Sequence, residues 1–157
     1  MKKLIIVLDN IRSAFNVGSI FRTADAAQNT QIYLCGMTPT PENPKICKTS
    51  LGAEKTVKWQ YFSNTLNAIE DLKQKNIPIY SVELTEKSKH FQTFSYFKQK
   101  EEKIALVFGH EINGISQPIL DLSNDFIYIP MKGEKESLNV AITASILIFE
   151  ALRYNRS

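Results

Sequence analysis

Three stretches of this 157-residue chain place polar side chains and glycines where apolar runs end. In LDNIRSAFNVGSIFRTADA, Leu8 to Ala26, Asn16 stands where a helix can start and Arg22 lies six residues on, nearly two turns later and, on this reading, roughly on the same side. Helix N-terminal amides and a guanidinium can together grip an anion such as a phosphate, while an asparagine at that place also makes an ordinary N-cap. In ALVFGHEINGIS, Ala105 to Ser116, Glu111 sits between Gly109 and Gly114, which let the backbone turn and approach a ligand closely. His110 beside it reads as a merely exposed residue. In IPMKGEKESLNVAITASILIFEALR, Ile129 to Arg153, a polar loop feeds a strongly apolar helix. Ser137 can cap a helix starting near Leu138, but that leaves Asn139, in the first turn, in need of a polar partner from elsewhere. None of these stretches is a Walker A motif or a G-x-G-x-x-G turn, so ordinary nucleoside-triphosphate and dinucleotide binding lose ground.

The elements that must position these residues show as apolar runs. Leu4–Leu8, Ile32–Cys35, Val57–Phe62, Ile79–Leu84, Ile104–Phe108 and Phe126–Ile129 are β-rich and mostly unbroken by polar residues, the pattern of strands covered on both faces. Val17–Ala27, Thr65–Gln74, Pro118–Leu122 and Leu138–Tyr154 carry helical periodicity, with Ser63 or Asn64 as N-cap of the second. This alternation predicts an α/β fold with an open, mostly parallel sheet and helices on both faces. Thr38–Pro44, with its three prolines, must be a loop, and Glu86–Glu102 reads as a mobile, partly helical connection. Ligands of such sheets gather outside the carboxyl ends of the strands, which is where the three polar stretches fall.

Size and composition bound the answer further. With 43% hydrophobic residues, the chain predicts one domain over residues 1–157. It has no run of about 18 apolar residues, and Met1-Lys2-Lys3 leads into too short an apolar stretch for a signal peptide, so no membrane span and a cytoplasmic location are expected. Cys35 and Cys47 read as reduced and structural, and with His90 and His110 they show no metal-ligand spacing, so no metal is expected. A net charge of +3 permits an anionic partner without demanding one.

Together the three stretches resemble the three motifs of the SpoU-type, or TrmH-like, RNA ribose 2′-O-methyltransferases of the SPOUT superfamily. Asn16 and Arg22 match the asparagine-to-arginine segment; Phe108, Gly109, Glu111 and Gly114 match F-G-x-E-x-x-G; Ile129–Met131 and Ser137–Val140 match the I-P-M…S-L-N-V run. The matches follow family order across almost the whole chain. The resemblance implies a sheet whose C-terminal segment forms a deep trefoil knot, and S-adenosyl-L-methionine as methyl donor, held near Leu84, Gly109, Ile129, Met131, Ser137 and Leu138. It implies a homodimer in which Asn16 and Arg22 of one protomer face the other's methionine end, where Glu111, Ser137 and Asn139 shape the site. The helix after Asn16 and the C-terminal helix would pack that dimer through Leu147, Ile148, Phe149 and Leu152.

Within the family, the arginine matching Arg22 is a proposed general base. A guanidinium is very hard to deprotonate, so holding the substrate phosphate and stabilising the developing oxyanion is the preferred role. Asn16 would then orient the ribose or Arg22, and Glu111 would fix the surrounding donors. The resemblance points to tRNA as substrate, with rRNA behind it, and leaves a non-catalytic RNA-binding protein as the alternative. No RNA-binding extension is expected, so grip would come from Arg12, Lys45, Lys48, Lys55 and the Lys87–Lys103 segment. The aromatics of that segment, Phe91, Phe94, Tyr96 and Phe97, either stack bases or fill the core.

Overall fold

Along β1 (Lys3–Asp9) successive side chains leave on opposite faces, and both faces are buried. Leu4, Ile6 and Leu8 enter one core cluster and Ile5 and Val7 the other, so β1 lies at the centre of three layers. The computed structural model describes residues 1–99 and 102–155. Its sheet has seven strands in the order β3-β2-β1-β6-β4-β7-β5, and every adjacent pair is parallel. The strands are β2 (Thr30–Cys35), β3 (Trp59–Phe62), β4 (Ile79–Val82), β5 (Lys89–His90), β6 (Lys103–Phe108) and β7 (Asp125–Tyr128). Helices α1 (Ala14–Ala27), α2 (Pro44–Ser50) and α5 (Val140–Leu152) supply one core; α3 (Thr65–Gln74) and α4 (Gln117–Leu122) supply the other. The expected α/β architecture stands, with a sheet parallel throughout.

Several local expectations shift. Pro44 does not close a loop but opens α2: it takes the first helical turn, where its missing N–H costs nothing, and the Asn43 side chain accepts from Lys45 N. The Glu86–Glu102 connection contains the short strand β5 and two 3-10 turns, Phe91–Thr93 and Ser95–Phe97, while Lys100 and Glu101 lie outside the described residues. Phe94 and Phe97 are buried at 1% exposure, and Tyr80 stacks on Tyr96 with ring centroids 5.0 Å apart. These aromatics therefore fill the core; Phe94 and Phe97 are not available to stack bases.

Lys2 and Asn155, 153 positions apart, meet. Lys2 N donates to Asn155 Oδ1 at 2.7 Å, Asn155 Nδ2 donates to Lys2 O at 2.8 Å, and the buried Lys2 ammonium donates to the Tyr96 and Phe97 carbonyls. That ammonium links the N-terminus to the same aromatic segment.

Candidate active site

Parallel strands end side by side, and here three of them run into turns that face one another: Glu83–Thr85 after β4, 109–115 after β6 and 129–139 after β7. The turns enclose a cleft of about 880 Å³. Leu84, Gly109, Ile129, Met131, Ser137 and Leu138 all line it, together with Glu111 and Asn139. Large apolar side chains stand uncovered at its walls: Leu84 is 70% exposed, Ile112 88% and Leu138 40%. Among the described residues, no hydrogen bond engages the backbone from Met131 to Leu138. The walls thus offer apolar surface for a flat ring and free backbone donors and acceptors for its polar edge.

Two side chains that the sequence reading passed over or left idle hold this shape. Glu83 Oε2 accepts from Ile115 N at 3.0 Å, pinning the turn after β6 to the end of β4. Gly114 has φ +65°, and a Cβ there would come within 2.6 Å of Glu83 Oε2, so the carboxylate and the glycine require each other. Half-buried His110 caps the same turn from within, its Nδ1 accepting from Ile112 N and Asn113 N, both at 3.1 Å. It is a positioning residue for the cleft and not a bystander. The one signal for Glu83 was a carboxylate at the end of IYSVEL, opposite a turn rich in amides.

At the start of α5 the cap is Asn139 and not Ser137. Asn139 Oδ1 accepts from Ala141 N at 2.8 Å and from Ile142 N at 3.3 Å, so the helix begins at Val140. Ser137 stays exposed, without a hydrogen bond among the described residues. The free end of the same amide donates, Asn139 Nδ2 to Asn16 Oδ1 at 3.1 Å. This supplies the polar partner that Asn139 was expected to need. It also joins, within one chain, two residues that the resemblance set on different protomers.

Asn16 is not the cap of α1. Ser13 is, its Oγ accepting from Asn16 N at 3.2 Å. Nor do Asn16 and Arg22 share a side: six residues rise about 9 Å and leave them roughly 120° apart around the axis. Arg22 is exposed, lies outside the lining of the cleft, and makes no hydrogen bond or ion pair among the described residues. The smallness of Gly18 serves packing, since a Cβ there would meet Ile46 O at 2.3 Å on α2. A phosphate grip built on this helix alone is therefore not formed. Glu111 lines the cleft with an exposed carboxylate that fixes no donor within the chain among the described residues.

The sequence profile of the SpoU rRNA Methylase family matches residues 3–149. The chain belongs to this family. Among SpoU relatives, it is 32% identical over 150 residues to a tRNA (guanosine(18)-2′-O)-methyltransferase of Thermus thermophilus, covering 96% of this chain and 74% of that protein. It is 31% identical over 150 residues to the 23S rRNA (guanosine-2′-O-)-methyltransferase RlmB of Xylella fastidiosa, covering 96% of this chain and 58% of that protein. The Aquifex aeolicus TrmH/SpoU tRNA modifying enzyme superposes with a TM-score of 0.83 at 27% identity, over 99% of this chain and 76% of that one. The AdoMet-bound rRNA methyltransferase of Sinorhizobium meliloti gives 0.85 at 28% identity, over 99% of this chain and 57% of that one. The chain thus spans about three quarters of the tRNA proteins and little more than half of the rRNA proteins.

SpoU membership makes S-adenosylmethionine the group to set against the cleft, and the residues fit it. Leu84, Ile112 and Leu138 can flank an adenine ring, and the free amides and carbonyls of Met131–Leu138 can meet its polar edge. Among the described residues, no cluster of three His, Cys, Asp or Glu side chains is placed to hold a metal ion, and no helix is long and apolar enough to cross a membrane.

Proposed function

We propose that this chain is an S-adenosylmethionine-dependent RNA methyltransferase that methylates a ribose 2′-hydroxyl in tRNA. The observation that carries the reading is the single cleft at the ends of β4, β6 and β7, which gathers Leu84, Gly109, Glu111, Ile129, Met131, Ser137, Leu138 and Asn139. The substrate comes from the Thermus relative, matched over 74% of its length; the Xylella relative, matched over 58%, supports rRNA as the second reading.

When bound, S-adenosylmethionine supplies a methyl group made electrophilic by its positively charged sulfur. Leu84, Ile112 and Leu138 would flank its ring, while Glu83 and His110 keep the turn after β6 in place. The ribose hydroxyl must then approach in line, and fixing that approach supplies several kcal/mol, of the order of 7 to 11 for a well-oriented pair. Asn16, held by Asn139 at the rim of the cleft, orients the ribose. Arg22 holds the adjoining phosphate and stabilises the oxygen as its proton passes to solvent water, since a guanidinium is a poor base.

Arg22 lies outside the cleft of its own chain, so the reading includes a second copy that brings it in. The apolar surface available for a homodimer is smaller than expected. Leu147 and Ile148 are fully buried in the core, while Ile142 (53% exposed) and Phe149 (54%), seven residues apart on one face of α5, remain uncovered with Phe15 (46%) on α1. The reading further includes a cytoplasmic location, a single methyltransferase domain formed by residues 1–157, and a trefoil knot formed by the segment after β7. Arg12, Lys45, Lys48 and Lys55, all exposed, supply the RNA grip.

The deciding experiment is incubation with methyl-labelled S-adenosylmethionine and total RNA from a strain lacking the gene, followed by mapping of the labelled nucleotide. Label on a tRNA ribose is expected. Label on a base overturns the reaction, and cofactor binding without transfer leaves the non-catalytic alternative.

A further inference from the structure

Beyond the cleft, the rim of the sheet continues over the carboxyl ends of β1, β2 and β3, and hydrogen bonds knit it together. Asn10, after β1, donates from Nδ2 to Asp9 Oδ1 at 3.1 Å and accepts at Oδ1 from Met37 N at 2.8 Å. Tyr61, on β3, donates its hydroxyl to Gly36 O at 3.0 Å. Asn10, Arg12 and Met37 line a hollow with His110, Asn113 and Gly114, which also line the cleft. A fixed surface thus runs from the cleft to the edge strand β3, three strand spacings or about 14 Å from β6.

This surface ends in two aromatics. Trp59 pairs with Ile32 and Tyr61 with Leu34 in the strand register, so both side chains leave the sheet on the face that carries α1 and α2. Trp59 is 37% exposed and Tyr61 47%, and neither ring touches another among the described residues. With the exposed Met37 on the same rim, they form an uncovered patch of the kind that marks an interaction surface.

The charge beside the patch is one-sided. Lys45, Lys48, Lys55 and Lys58 are all exposed and form no ion pair among the described residues. Glu54, the one carboxylate between them in sequence, is buried and receives the Ser50 hydroxyl and the Cys47 thiol. Ile46, Ala53 and Val57 of the same stretch enter the core on the α1 face, so the lysines belong to the layer that borders the two rings. Aromatic faces bordered by cations suit nucleic acid with unpaired bases, which stack while the phosphates meet the ammonium groups. A duplex hides its base faces, and an apolar protein edge would have to bury the lysines.

We propose that the ends of β1, β2 and β3 form a track for single-stranded RNA. Bases flanking the methylated nucleotide stack on Tyr61 and Trp59, while Arg12 and the four lysines hold their phosphates. The inference rests on the RNA methyltransferase reading and adds that the target lies in an unpaired segment, but its test does not require methyl transfer.

Trp59 is the only tryptophan of the chain, so its fluorescence reports on the track. Protein saturated with S-adenosylhomocysteine is titrated with octaadenylate, with an RNA duplex, and with heparin as a polyanion without bases. Octaadenylate is expected to quench Trp59, with an affinity that falls steeply as salt rises, while duplex and heparin leave the emission nearly unchanged. Tyr61→Ala should weaken octaadenylate binding roughly tenfold, and Tyr61→Phe, which keeps the ring, should not. Trp59→Ala, read from a dye on the oligomer, should weaken it as much, so either variant suffices if the other does not fold. Neither should change S-adenosylhomocysteine affinity. Equal quenching by heparin or duplex, or binding undiminished in both alanine variants, overturns the proposal. So does Trp59 emission that shifts with protein concentration in the absence of RNA, which would assign the edge of β3 to a second copy. Quenching by octaadenylate without labelled methyl in RNA, by contrast, tells against the methyltransferase reading alone.

Discussion

Asn139 has two tasks, and substitution can separate them. Asn139→Ala removes the cap of α5 and should cost about 1 kcal/mol in thermal unfolding. Asn139→Asp keeps an oxygen for Ala141 N and Ile142 N but sets a carboxylate against Asn16 Oδ1. It should melt within a few degrees of the parent and still lose most methyl transfer, so equal turnover would remove Asn16 from the site. Arg22→Lys keeps the charge but loses the two-pronged grip, and a loss of roughly a hundredfold in turnover is expected. The thiols give a check on burial: Cys35 is buried in the core and pushed up to about 12 by that burial, whereas Cys47 is exposed. A thiol reagent at pH 8 should therefore label Cys47 alone until denaturant is added. At this scale the sequence showed that Asn139 needed a partner but misplaced the cap. Ser137 and Asn139 are both good caps two residues apart, and only the path of the chain around the cleft decides between them.

The strands were readable because parallel strands buried on both faces are apolar without interruption, and LIIVL and IALVF are such runs. Helix α2 was not, because TPTPENPKICKTS looks like a proline loop until Asn43 caps and Pro44 opens the helix. What α2 does is also hidden locally: it lies so close to α1 that Gly18 cannot carry a Cβ without meeting Thr49 Oγ1 at 2.1 Å. Gly18→Ala should accordingly lower stability by about 1–3 kcal/mol in denaturant unfolding, the usual cost of overpacking. Per folded molecule its cofactor affinity should be unchanged, since Gly18 lies away from the cleft. Phe94 and Phe97 are the converse case: sequence alone left them between RNA and core, and only the packing of Tyr80 and Tyr96 around them decided.

The proposed pairing of Arg22 from one copy with the cleft of another makes a prediction about mixtures. Arg22→Ala and a variant with a blocked cleft, such as Leu138→Arg, should each be inactive alone. Co-refolded in equal amounts they should recover about one quarter of parental activity, as expected for a symmetric dimer with one intact site in half the molecules. No recovery, with dimers present in sedimentation, would place Arg22 in its own chain's site. The overall architecture was legible from the alternation of elements; that Arg22 would face another copy's cleft came through the family resemblance alone, because such a relation belongs to no single segment. The mutual hold of Lys2 and Asn155 has a consequence of a different kind. Ends that touch can be joined by a short ligated linker while the protein is native. If the segment after β7 is threaded, sealing the chain turns a removable tangle into a closed trefoil that no denaturant can undo. Such a ring, fully denatured, should migrate ahead of a ring of the same sequence sealed from the unfolded state.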